Sequence, residues 1–133
     1  MARRARGDRG AAIIEFALLL PVLILLLFGT IQFGIAYNRK QGLHAAAREG
    51  ARVASLPTTT SGQISTRVND ALTGVPLSGS PTITVSPNLT RPCENRRGQA
   101  VVVTVSAATT LDIPLWGVQS ITMTSKGSFR CEG

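Results

Sequence analysis

Glu15 stands among Ala11, Ala12, Ile13, Ile14, Phe16 and Ala17, an apolar neighbourhood in which a carboxylate is out of place. Taking such a group out of water is costly unless a cation or a donor meets it. A glutamate that reaches headgroup water is the ordinary explanation. The glycine five residues earlier, Gly10, and the arginines before it make that explanation less attractive. Cys93 and Cys131 are the only cysteines, and no Cys-x-x-Cys or Cys/His grouping points to a metal. A disulfide in an oxidising exterior is the economical reading of this pair, with two unpaired buried thiols as the alternative. Catalysis finds little support. Glu49, Asp70, Glu94, Asp112 and Glu132 form no paired motif, His44 is the single histidine, and neither a Gly-x-Ser-x-Gly elbow nor a phosphate-binding glycine loop is present. No catalytic residue, cofactor or small-molecule substrate is expected.

The element that must hold Glu15 is an apolar run. From Phe16 to Asn38 there is no charged residue, and Leu18 to Phe28, interrupted only by Pro21, leaves no polar face. About 20 such residues span a hydrocarbon core of roughly 30 Å at 1.5 Å per helical residue. In lipid the backbone must be helical, with Pro21 as a bend. Gly29 and Gly34 could permit close helix contact, yet glycine is common in membrane helices and the ordinary reading is favoured. The formal charge of +7 invites a nucleic-acid reading, but the distribution argues against it. Arg3, Arg4, Arg6 and Arg9 precede the run, Arg39, Lys40, Arg48 and Arg52 follow it, and no aromatic residues alternate with them. These are membrane flanks. Four cations on either side leave orientation undecided by charge; a disulfide outside would put the N-terminus in the cytoplasm.

With these residues in view, the sequence resembles type IV prepilins and pseudopilins, whose basic leader ends in Gly and exposes an apolar helix with Glu at its fifth position. It is most similar to the TadE-like family of the tight-adherence (Flp) pilus system, through Gly10-Ala11-Ala12-Ile13-Ile14-Glu15-Phe16-Ala17-Leu18-Leu19-Leu20-Pro21 and then Ala46-Ala47-Arg48-Glu49-Gly50-Ala51-Arg52. TadG-like proteins share the N-terminal segment but carry a longer outer part, so the short length favours the TadE-like resemblance. The resemblance is strong over about the first 55 residues. It implies cutting by a prepilin peptidase between Gly10 and Ala11. It also implies that Glu15, beside Phe16, meets the N-terminal amine of a neighbouring subunit during assembly.

Beyond Tyr37 the helix is expected to continue through Ala54, because Leu43, Ala47, Gly50 and Ala54 recur at spacings of four, three and four. They form a packing face, with His44, Arg48 and Arg52 on another. Pro57 to Gly62 is a linker. Ile64, Val68, Ala71 and Leu72 give a second, short helix, with Ser61 as cap and Gly74 as stop. Thr82–Ser86, Gln99–Ala107 and Gln119–Lys126 alternate as strands of a three-stranded antiparallel sheet. A hairpin around Pro114-Leu115-Trp116-Gly117 would bring Cys131 near Cys93. Trp116 is a core or interface anchor, and Arg96 and Arg97 are a solvated turn. The fold class is therefore α+β and, by the resemblance, pilin-like: a leader at 1–10, a transmembrane and amphipathic stalk at 11–55, and a small extracytoplasmic domain at 56–133.

The leading expectation is a single-pass minor pilin or pseudopilin of the bacterial cytoplasmic membrane. Its partners would be the membrane, the prepilin peptidase, other pilins and the assembly machinery, with no nucleic acid. Two competing classes remain: a binding module exported on an ordinary signal peptide, cut near Gly34-Ile35-Ala36, and an uncleaved signal anchor carrying an adaptor.

Overall fold

A computed structural model describes residues 7–113 and 117–132, with the side chains of 7–9 set aside. The leader arginines Arg3, Arg4 and Arg6, the side chain of Arg9, and the turn residues Pro114, Leu115 and Trp116 thus lie outside the described residues. Helix α1 runs unbroken from Gly7 to Ala54, through Pro21. Helix α2 covers Ser61–Ala71. Strands β1 (Thr82–Ser86), β2 (Ala100–Ile113) and β3 (Gly117–Arg130) form one antiparallel sheet in the order β1-β2-β3. The architecture is α+β, a long helix beside a short helix and a small sheet.

The core is the meeting of one stripe of α1 with one face of the sheet. Leu43, Ala46, Ala47, Ala51 and Ala54 are fully buried, together with Ile64 and Val68 of α2 and Val101, Val103 and Val105 of β2. Small side chains on α1 let strand and helix axes approach, and two glycines take this furthest. A Cβ on Gly50 would collide with Val68 and meet Val103 Cγ1 at 3.2 Å. One on Gly127 of β3 would run into the Ala47 backbone. Burial in β2 alternates from Val101 to Thr109, the period of a strand with one covered face.

Several elements differ in detail from the expectation. The cap of α2 is Thr60, whose hydroxyl accepts from the Gln63 amide while the Gln63 side chain accepts from the Thr60 amide. Ser61 is therefore the first helical residue: with Gln at the third position after it, Thr60 satisfies two free donors at once. Ala71 is exposed, whereas Ile64, Val68 and Leu72 are buried. β2 and β3 each extend to 14 residues, in register from Ala100↔Arg130 to Ile113↔Gly117. Gly117, expected in the turn, is the first residue of β3.

Candidate assembly surface

α1 divides into an unpacked and a packed half. From Gly10 to Ile31 every side chain is exposed, and this stretch is long and apolar enough to cross a membrane. Gly10, Ala11, Glu15 and Phe16 all lie on this bare part, near the start of the helix. Among the described residues no hydrogen bond or ion pair engages Glu15. Whatever meets its carboxylate in a nonpolar setting must come from beyond these residues. Gly10, Gly29 and Gly34 face open space. Thr30, the hydroxyl residue of this half, donates back to the carbonyls of Leu26 and Leu27, which satisfies it within the helix.

The packed half places Leu43, Ala47, Gly50 and Ala54 on the buried stripe, joined by Ala46 and Ala51. His44, Arg48 and Arg52 are exposed. Glu49 joins no other carboxylate but is a junction between two arginines. It pairs with Arg52 at 3.2 Å on its own helix and with Arg67 of α2 at 3.1 Å. The hydrogen bond from Arg52, reinforced by Arg67, holds its pKa below the ordinary value against a smaller opposing effect of burial, and Glu49 in turn raises that of Arg52. An Arg three residues on was the available sequence signal; the contact with Arg67 crosses two elements and left none.

Arg39 and Lys40 are also more than membrane flanks. Arg39 donates to the Thr109 hydroxyl and, at 2.7 Å, to the Thr110 carbonyl, while Lys40 donates to the Thr124 carbonyl. The two cations thus pin the middle of the β2–β3 ribbon to α1 just where its uncharged run ends. Gly127 was missed as a packing residue. A glycine inside an alternating strand was its signal, since such a residue commonly marks a close backbone approach.

Cys93 and Cys131 are joined as a disulfide, with Cα atoms 5.2 Å apart. The β2–β3 register makes this possible: the Cys131 amide donates to Gln99 O and the Gly98 amide donates to Cys131 O. The next residue, Glu132, donates its amide to Ser55 O just after α1. Arg97 is exposed, but Arg96 is half-buried, with its Nε enclosed. No group of three or more metal-ligating side chains occurs among the described residues.

Residues 10–52 match the model of a family described as TadE-like protein, the family reached from the motifs alone. The match covers nearly all of α1 and none of the sheet. No curated protein and no solved structure matches the chain.

Proposed function

We propose that the chain is a minor pilin or pseudopilin, a structural and assembly component of a tight-adherence (Flp-type) pilus. The observation that carries this reading is the coincidence of the TadE-like match with a helix whose apolar first half stays exposed, from Gly10 to Ile31, among the described residues. That half holds a carboxylate, Glu15, in apolar surroundings. In this reading residues 1–10 are a leader cut after Gly10 by a prepilin peptidase, 11–55 are the stalk, and 56–133 form an extracytoplasmic domain. Cutting would create an amine at Ala11. A glutamate of an incoming subunit that finds a neighbour's amine would neutralise two charges in lipid, and the penalty for missing it would set the register.

The Cys93–Cys131 disulfide supports an outer location for the sheet and a cytoplasmic N-terminus. The partners in this reading are the membrane, the peptidase, other pilins and the assembly machinery, and the role is structural. Intact mass and N-terminal sequencing of protein extracted from membranes of the native host test it. A chain beginning at Ala11 is the expected result. A start near Tyr37 would mean conventional secretion, and an uncut N-terminus would mean a signal anchor.

A further inference from the structure

The far end of the β2–β3 ribbon does not stop at the level of the folded core. Beyond Thr109 and Thr110, which Arg39 holds against α1, β2 runs on through Leu111, Asp112 and Ile113. Leu111 and Ile113 share a groove of about 260 Å³ with Gly29, Gln32, Phe33 and Ala36 of α1. The strands therefore extend past the last charged position of the helix and down its uncharged run. If Ile13 to Phe33 fills a hydrocarbon core, about 30 Å at 1.5 Å per residue, Gly29 lies about 6 Å inside its edge and Ala36 just beyond it.

Anything packed beside Gly29 and Phe33 is at that depth. Ile113 and Val118 are exposed there, Val118 at 66%, although the sheet's own core lies elsewhere. The aromatic pair Phe33 and Tyr37, with ring centroids 6.3 Å apart, stands at the same level, where amphipathic rings favour a membrane boundary. Register puts Asp112 opposite Val118, on the face turned away from Leu111 and Ile113. That carboxylate limits the depth to the boundary between headgroups and acyl chains, where it keeps water.

We propose that the end of the β2–β3 ribbon, through Leu111, Ile113 and Val118, is seated in the lipid interface of the leaflet nearer the folded part. The protein thus holds the membrane at two points, with acyl chains filling the groove at Gly29. This inference rests on the reading of α1 as a membrane span.

The test uses the full chain in phosphatidylcholine–phosphatidylglycerol vesicles, with bromines placed either near the headgroup end of the acyl chains or near their tips. Trp116 is the only tryptophan, so Trp116→Phe gives a silent background. On it, Val118→Trp reports the ribbon and Leu23→Trp reports the span. Fluorescence of Val118→Trp is expected to be quenched about twofold more by the shallow bromines than by the deep ones, as for a group buried 5–10 Å into the boundary. The unaltered chain, read through Trp116 two residues away, should agree, which guards against the new tryptophan drawing the ribbon into lipid. Quenching by aqueous acrylamide but by neither lipid would overturn the proposal by leaving the ribbon in water. Shielding from all three would overturn it in favour of a protein cover such as a second copy. Deep quenching of Leu23→Trp in either case would show that the span itself survives; its loss would defeat the span and the proposal together.

Discussion

Gly127 in β3 and Ala47 in α1 meet backbone to backbone: the space a Cβ would need at position 127 is taken by the Ala47 carbonyl and the peptide that follows it. Main chain cannot rotate aside as a flexible side chain does. Gly127→Ala should therefore cost about 1–3 kcal/mol, the scale of overpacking in a close-packed core. Gly50→Ala meets the Val68 and Val103 side chains and should cost less wherever those can shift. Thermal unfolding of the two variants in detergent, followed by circular dichroism, checks the order; an unchanged Tm for Gly127→Ala would mean that helix and strand are looser than described.

The disulfide closes a separation of 38 residues that includes the whole of β2. Cys93→Ser should lower stability by about 2–4 kcal/mol through the greater freedom of the unfolded chain. Equal melting of wild type and variant under oxidising conditions would count against the bridge, and convergence of the two only after reductant is added would support it.

Glu49 should make stability fall on acidification. Its carboxyl has a lower pKa in the folded chain than in the unfolded one, so the unfolded state binds a proton first. The contribution is full above the unfolded value, near the ordinary glutamate range, and is lost as pH falls through the lowered folded value. Its partners are mostly exposed, which keeps the effect of Glu49→Gln to about 1 kcal/mol or less at neutral pH. Chemical denaturation of wild type and variant across the acid range should give curves that converge at low pH.

Gly10→Leu should stop leader removal while membrane insertion continues, because the apolar run is untouched. Retention of the leader on mass analysis is the expected readout, and normal processing would remove the proposed site.

Glu15→Leu should insert at least as well as wild type yet assemble poorly, since it loses the charge proposed to find a neighbour's amine. Pilus yield in the native host measures it. Undiminished yield would make Glu15 a residue that merely reaches headgroup water.

The parts of this molecule legible in its sequence are those with a local period. The uncharged run announced the bare half of α1, and the recurrence of Leu43, Ala47, Gly50 and Ala54 marked its packed stripe. Alternation in Thr82–Ser86 located β1 at its observed bounds. What stayed hidden depends on partners distant in the chain. Arg39 and Lys40 looked like membrane flanks until the ribbon, some 70 to 84 residues later, supplied their acceptors. Gly127 carried only the weak hint of a glycine in a strand, because its reason lies in the backbone of another element. The extra length of β2 and β3 was masked by Thr109, Thr110 and Asp112, whose polarity interrupts the alternation while backbone pairing carries on regardless.

The unbroken course of α1 gives the folded part control over azimuth. Ala47 is held against Gly127, and Glu15 lies 32 residues away on the same helix, about 48 Å along the axis. A rod keyed into its socket at one end cannot roll at that end without turning the other. The compass bearing of Glu15, and with it the direction of the neighbour proposed to meet it, is thus set by alanines and glycines in the sheet's seat, so a packing defect there would misdirect the carboxylate without touching it.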